Sequence, residues 1–161
     1  ITEMSGDFNG SLSCLIKFND ATTDVPVSLG ADTADVRASF GISVNSGGVA
    51  GSFGAEFNSG THRTAGGLIG VGQLAHLIVT KAAGTITAGT TLYLNGEIVA
   101  SAATVGGTPS LQAGPFNIGN WVTGSGSFFN GTILCARLHD FELTPTQARE
   151  ISNRDLRMIN N

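Results

Sequence analysis

The acidic and histidine side chains of this chain are scattered, which limits the chemistry that they could perform. Glu56 stands alone on an alternating segment, Glu97 follows a turn, and the three histidines (His62, His76 and His139) lie far apart. Glycoside hydrolysis by the usual route needs two carboxylates at a set separation. No Glu-x-Asp-x-x-Glu motif and no Ser/His/Asp arrangement is evident. The sequence therefore predicts a non-catalytic protein with no cofactor.

The three histidines have ordinary structural interpretations as well as functional ones. His76 shares one face of an apolar segment with Leu74 and Ile78, which favours a buried histidine with its polar atoms satisfied. His62 and Arg63 stand together in a Thr/Gly-rich stretch and are a candidate contact for a glycan or a protein partner. A solvated loop is the alternative for that pair.

Trp121 is the only tryptophan and follows Asn120 in a polar segment. An exposed indole can stack on a sugar ring while an adjacent asparagine bonds the sugar hydroxyls. In the alternative, Trp121 is buried at the end of a β-sandwich beside Phe128 and Phe129. The sequence favours burial, since a single Trp usually has most of its surface covered.

Cys14 and Cys135 lie in two predicted strands at opposite ends of the sequence. They are interpreted either as a disulfide that ties the first strand to the last or as two buried thiols. Neither has a second Cys or a His at the spacing of a zinc site, so no metal is predicted there.

Composition sets the class of protein. The 161 residues suit one domain, with 23 glycines and 12% charged residues, and the net charge of -4 includes no cluster of Lys or Arg. A nucleic-acid partner is therefore not expected. No apolar stretch approaches the roughly 18–20 residues that span a bilayer.

Period-2 alternation predicts the strands that must carry these residues. Strands are expected over 11–18, over 36–44 and 49–57 as a hairpin, over 74–81 as a central strand, and over 116–120 and 132–140. Residues 58–73 predict a loop or a short strand. Asn95-Gly96 predicts a two-residue hairpin turn between 91–95 and 97–101, because both residues tolerate positive φ. A helix is expected from Thr144, with Pro145 in its first turn and Gln147 at the capping-box position.

The order of these motifs resembles the laminin-G-like domains of the concanavalin A-like lectin superfamily. The motifs are GDFNGSLSCLIKF, GQLAHLIVTKAAG, TTLYLNGEIVAS, PFNIGNW, and a Gly-Thr-Ile strand followed by a Leu-Thr-Pro helix. The resemblance implies an all-β fold: a two-sheet antiparallel jelly-roll sandwich with a short C-terminal helix, as one domain over residues 1–161 with the helix and tail at about 145–161.

The same resemblance bears on metal binding. Relatives hold Ca²⁺ at the rim of the sandwich on carboxylates that include the position after the Ile-Gly strand. Here that position reads Asn120-Trp121, so calcium is not favoured. Asp32 and Asp35 are the weak alternative ligands.

We therefore expect a surface module that binds a protein neighbour or a glycan through its loops, as part of a virion or of a cell surface. Leu156 and Ile159 in the tail are the predicted assembly contacts, and an oligomeric or assembly-bound state is expected. The alternatives are a purely structural decoration or fibre subunit and a degenerate glycoside hydrolase. Light scattering and the spacing of carboxylates in a structure distinguish them.

Overall fold

A computed structural model describes residues 6–31, 39–57, 60–103, 106–121 and 128–159. In these ranges strands are the main regular structure, and there are also two α-helices and one turn of 3-10 helix at Ser46–Gly48. The strands are β1 Gly10–Phe18, β2 Asp24–Gly30, β3 Ser39–Val44, β4 Phe53–Phe57, β5 Gly60–Thr64, β6 Leu74–Lys81, β7 Thr90–Leu94, β8 Glu97–Ile98, β9 Ser101–Ala103, β10 Phe116–Ile118 and β11 Gly131–His139. The helices are α1 Ile86–Gly89 and α2 Pro145–Arg157.

The strands form two antiparallel sheets. The five-stranded sheet has the order β11-β1-β6-β7-β8, and the six-stranded sheet has the order β10-β2-β3-β4-β5-β9. The predicted jelly-roll sandwich is confirmed, and β6 is central as expected, between β1 and β7.

Alternating apolar side chains from both sheets fill the space between them. Leu12, Cys14, Ile16 and Phe18 of β1 meet the apolar residues of the other sheet, which are Val27, Leu29, Phe40, Ile42, Val44, Phe53, Ala55 and Phe57. Because successive strand residues point to opposite faces, the residues between these project away from the core. The register of the strands then decides which of them are neighbours.

Two parts of the sheets differ from the sequence-based expectation. β2 lies outside the predicted strands: it contains Pro26, which cannot donate a backbone hydrogen bond, and its pairing with β3 shifts register between Asp24 and Val27. The hairpin at Asn95-Gly96 is present, with φ of 52° and 90°. Its second strand, however, divides between the sheets, since β8 pairs with β7 and β9 pairs with β5.

Helix α2 covers the outer face of the five-stranded sheet. Its capping box is formed, as Thr144 N donates to Gln147 Oε1 at 2.9 Å and Gln147 N donates to Thr144 Oγ1 at 3.3 Å. Ala148 and Ile151 pack against Ile78 and Tyr93 of the sheet. The helix continues to Arg157, so the first residues of the predicted tail are helical.

Cys14 and Cys135 lie on the adjacent strands β1 and β11, and both are free thiols. The disulfide interpretation is wrong for a geometric reason. Cys14 projects into the core, whereas Cys135 is paired with Leu15 and therefore projects to the opposite side of the sheet. Side chains that point apart cannot be bridged. Burial also raises the pKa of Cys14.

Across the described part of the chain, no helix has the length and apolar content needed to cross a membrane.

Candidate functional site

The outward side of the six-stranded sheet lies on the opposite side of the sandwich from α2, and we call it the front face. Its residues are those that alternate with the core residues of each strand. They are Ser28, Ser39, Gly41, Ser43, Gly54, Glu56, Thr61, Arg63, Ala102 and Asn117, related by the strand register. Small and polar residues dominate this face.

Glu56 occupies the middle of the front face. Across the strands it is paired with Gly41 of β3 and Thr61 of β5, and Ser43 and Arg63 are its diagonal neighbours. Burial raises the pKa of Glu56 to about 7, although the Ser43 hydroxyl and the Arg63 charge oppose the rise. The carboxyl group therefore titrates near neutral pH, which is unusual for a glutamate on a sheet surface.

Two glycines make room for larger side chains on either side of Glu56. A Cβ on Gly41 would lie 2.6 Å from Cζ3 of Trp121, so the indole packs directly on the backbone of β3. A Cβ on Gly54 would lie 2.9 Å from Cβ of Arg63, and the Arg63 side chain extends from there to donate to the Ser46 carbonyl at 3.3 Å. Trp121 and Arg63 thus flank the carboxyl group.

Several buried polar atoms of the front face have no protein partner. They are Oγ of Ser39 and of Ser43, Oε2 of Glu56 and Nδ2 of Asn117. Ser28, in contrast, is satisfied, since its hydroxyl donates to the Asn120 carbonyl at 2.9 Å. Buried polar atoms usually have a partner. A row of such atoms on one face therefore indicates a surface suited to a polar ligand or to bound water.

Trp121 and Asn120 are on the front face, not at the end of the sandwich. Only 9% of the surface of Trp121 is exposed. The indole is therefore buried, as the sequence favoured, and does not form an open platform on which a sugar could stack. Asn120 is half-buried and contributes its carbonyl to Ser28. A sugar would reach the rim of the indole rather than its full face.

His62 and Arg63 do not act together, because neighbouring residues of a strand point to opposite faces. His62 is paired with the core residue Ala55, is 5% exposed, and its Nε2 shares a 2.7 Å hydrogen bond with Ser101 Oγ. Burial lowers its pKa. Arg63 points outward and lines an open pocket of about 410 Å³ with Thr64, Ala65, Ala100, Ser101 and Ala102.

A Ser/His/Asp group, which the sequence did not indicate, lies under α2. His76 Nδ1 shares a 2.6 Å hydrogen bond with Ser152 Oγ, and His76 Nε2 lies 3.3 Å from Asp155 Oδ2. All three residues have 0% exposure, so no substrate reaches them. Arg137 and Arg154 also donate to Asp155. The group fixes α2 to the sheet. The expectation of a buried His76 is confirmed, but its polar atoms are only partly satisfied: Nδ1 is hydrogen-bonded to Ser152, whereas Nε2 approaches Asp155 without forming a hydrogen bond.

The remaining predicted residues are not part of the front face. Asp32 and Asp35 lie outside the described residues. Within the described ranges, no group of three or more His, Cys, Asp or Glu side chains is arranged to hold a metal ion. Leu156 is half-buried at the end of α2, and Ile159 is 42% exposed just after it.

Sequence reasoning recognised Glu56 as solitary but missed its environment. Its partners come from β3, β5 and the segment of Trp121, which are distant in sequence. The available signal was the run of small residues that alternates with the apolar ones in β3 and β4. Glu56 is flanked there by small residues, but it is largely buried and its Oε2 is enclosed.

Comparison with known proteins agrees with this architecture. The sequence profile of a laminin-G family, described as the Concanavalin A-like lectin/glucanases superfamily, matches residues 4–149. No curated protein sequence matches the chain significantly.

Solved structures with the same fold include an SAP-like pentraxin from Limulus polyphemus, with 19% identity, a TM-score of 0.67, and coverage of 92% of this chain and 71% of that one. Domain 4 of AbnA, an extracellular arabinanase from Geobacillus stearothermophilus in complex with arabinotriose, has 23% identity, a TM-score of 0.58, and coverage of 92% and 68%. A Trypanosoma rangeli sialidase in complex with the inhibitor DANA has 15% identity, a TM-score of 0.63, and coverage of 91% of this chain but 23% of its own. The chain thus spans about a quarter of the sialidase. These structures share the fold, and the matching profile over residues 4–149 shows that the chain belongs to the concanavalin A-like lectin/glucanase superfamily, as a laminin-G-type domain.

Proposed function

We propose that this domain is a non-catalytic carbohydrate-binding module whose ligand lies on the front face. The observation that carries the proposal is the set of buried polar atoms without a protein partner on that face, on Ser39, Ser43, Glu56 and Asn117. Sugars present many hydroxyl groups that donate and accept hydrogen bonds. They can therefore satisfy such atoms more fully than an apolar ligand can.

The absence of a second carboxylate supports binding over hydrolysis. Among the described residues of the front face, Glu56 is the only acid. The two-carboxylate route to glycoside cleavage needs a partner at about 5–10 Å. The similarity to domain 4 of AbnA, solved with arabinotriose, and to one part of a sialidase supports a role beside glycan chemistry.

A glycan screen with front-face variants tests the proposal. We expect binding of the wild-type domain to at least one glycan, and a loss of about tenfold or more for Asn117→Ala, which corresponds to one lost hydrogen bond of about 1.4 kcal/mol. Arg63→Ala is expected to weaken binding by a similar factor.

Lys17→Ala is the matched control for Arg63→Ala, because it removes an exposed cation from β1 of the other sheet. Equal affinities for Asn117→Ala, Arg63→Ala and the control would refute the assignment of the front face. A wild-type domain that binds no glycan would refute the function.

A structural role in an assembly is the second candidate. Strand β11 is an edge strand of nine residues, with Leu134 49% exposed, and Met158 and Ile159 after α2 are 59% and 42% exposed. Open strand edges and apolar surface invite association. Light scattering at increasing protein concentration tests this role, and a monomer at all concentrations would count against it.

We propose a location at a virion surface or outside the cell, with a protein neighbour or a surface glycan as partner. The low content of Lys and the bias toward Ser, Thr, Ala and Gly support this location. Binding of intact virions or cells by the purified domain, compared with the same domain carrying Asn117→Ala, tests it.

A further inference from the structure

We propose that Glu56 determines the specificity of the front face: its carboxylate accepts hydrogen bonds from adjacent hydroxyls of a neutral sugar, so that affinity rises from acid to alkaline pH. This inference rests on the proposed carbohydrate binding and names the ligand class and the regulation of that same surface.

The first support is the position of the carboxyl group. Glu56 lies in β4 between Gly41 and Thr61, with Trp121 over the glycine and Arg63 on the diagonal. Its Oε2 is buried without a protein hydrogen bond. The free-energy cost of removing water from this oxygen has already been met in the folded domain. A ligand hydroxyl that bonds it therefore contributes more to binding than one that must displace an existing protein or solvent partner.

The second support is the balance of charge around Glu56. A sugar acid would bring a second carboxylate against it, and like charges in partly buried surroundings repel strongly. An amino sugar would bring an ammonium group that the Glu56 carboxylate attracts but that the Arg63 guanidinium, bonded to the Ser46 carbonyl, repels. A neutral polyol avoids both costs. Hydrogen bonds from its hydroxyls to an ionised carboxylate are about twice as strong as neutral ones.

The third support is the titration range of the site. The pKa of Glu56 is raised to about 7 by burial. Among the residues that the structure describes, the groups that face it are the Ser43 hydroxyl of β3, Thr61 and Arg63 of β5, and the Trp121 ring, and of these only Arg63 carries charge. Burial lowers the pKa values of His62 and His139, and lowers that of His76 to about 4, so their titration moves away from the neutral range toward acid.

The size of the pH effect follows from linkage. If only the ionised form accepts the ligand hydroxyls, the affinity is proportional to the ionised fraction of Glu56 in the free protein. For a pKa near 7, that fraction rises about tenfold between pH 6 and pH 8. Binding at pH 6 then releases close to one proton, because the group is mostly protonated before the ligand arrives.

Isothermal titration calorimetry at pH 6 and pH 8 tests the inference. The probes are the best neutral oligosaccharide from the screen and otherwise similar oligosaccharides that carry a uronic acid or an amino sugar. Glu56→Gln retains the size of the side chain without its charge. Glu150→Gln makes the same change at an exposed position on α2, on the other side of the sandwich.

We expect the wild type and Glu150→Gln to bind the neutral oligosaccharide about tenfold more tightly at pH 8 than at pH 6, with proton release at pH 6. Glu56→Gln is expected to bind more weakly at pH 8 and to show no pH dependence. Thermal unfolding confirms that the variant is folded, and replacement of a desolvated carboxylate is not expected to lower its stability.

Two kinds of failure are distinguishable. If the wild type binds no oligosaccharide at either pH, the proposed function fails, and this inference fails with it. Wild-type binding that is independent of pH, that Glu56→Gln leaves unchanged, or that favours the charged oligosaccharides overturns the role of Glu56 alone.

Discussion

The ion pair between Arg137 and Asp155 is predicted to be a main anchor of α2, and Asp155→Asn tests it. The Asp155 side chain is 0% exposed and accepts from both terminal nitrogens of Arg137, the second at 3.0 Å. Burial alone would raise the pKa of Asp155, but the hydrogen bonds and charges of Arg137 hold it below its usual value. The amide that this substitution introduces would keep the shape of the side chain and leave the guanidinium without a counter-charge.

The expected loss of stability follows from the burial of the two partners. Removal of one partner from a buried pair costs about 3–5 kcal/mol. Since the Arg137 side chain is 26% exposed, water compensates part of the loss, and we expect a value near the lower end, about 3 kcal/mol. For a chain of this size that corresponds to a decrease in Tm of roughly 6–12 °C.

Glu97→Gln is the matched control. Glu97 and Arg149 form the same two-pronged contact, with both distances at 2.9 Å, but their side chains are 67% and 58% exposed. Exposed pairs contribute about 0–1 kcal/mol. Urea denaturation measures both variants, and hydrogen exchange of the α2 amides shows whether the helix loosens first. Equal losses in the two variants, or a loss below about 1 kcal/mol for Asp155→Asn, would refute the anchoring role.

Three further predictions concern other buried groups. Burial lowers the pKa of His76 to about 4, below its unfolded value near 6.5, so protonation favours the unfolded chain. The free energy of unfolding should therefore fall by up to about 3 kcal/mol as the pH falls from 6.5 to 4. Urea denaturation of His76→Gln should show a smaller loss of stability over the same pH interval. Gly41→Ala should lower the free energy of unfolding by about 1–3 kcal/mol and shift the fluorescence of the single Trp to longer wavelength, because the new Cβ would lie 2.6 Å from the indole. Gly106→Ala is the control, since no atom lies within 4 Å of a Cβ at that position. An unchanged spectrum for Gly41→Ala would contradict the packing of Trp121 on β3. Cys14 and Cys135 should remain free thiols, so a reducing agent should not change the Tm. In the folded domain, a thiol reagent should modify the half-buried Cys135 well before the buried Cys14. If neither cysteine reacts until a reducing agent is added, the two form a disulfide.

The elements with strong local signals were predictable. β1, β3 and β4 alternate cleanly, and β6 is apolar on both faces as a central strand should be. Asn95-Gly96 supplies the residue types that a turn with two positive φ values favours, and Thr144 and Gln147 form the capping box. β2 and the division between β8 and β9 were not predictable by the same means. β2 contains Pro26, and β8 has two residues before the chain passes to the other sheet. Both are stabilised by pairing with neighbouring strands rather than by their own composition.

The site shows the same division between local and long-range information. The sequence placed Trp121, Asn120 and Arg63 among the binding candidates, and all three lie on the front face. It offered no reason to choose Glu56, and it paired His62 with Arg63 although a strand directs them to opposite faces. The Ser152–His76–Asp155 group was also beyond local reasoning, because it joins residues 76 positions apart in the chain.

By itself, the sequence determined the all-β class, the periodicity of the main strands, the hairpin turn and the capped helix, since each depends on interactions within a few residues. The tertiary structure alone decided which residues lie beside Glu56, how far its burial raises its pKa, and which residues are opposed across the sheets. It also decided that Cys14 and Cys135 face apart and that His76 and Asp155 are closed to solvent. The physical reason is that desolvation and side-chain pairing depend on strand order and register, which form between segments distant in the chain.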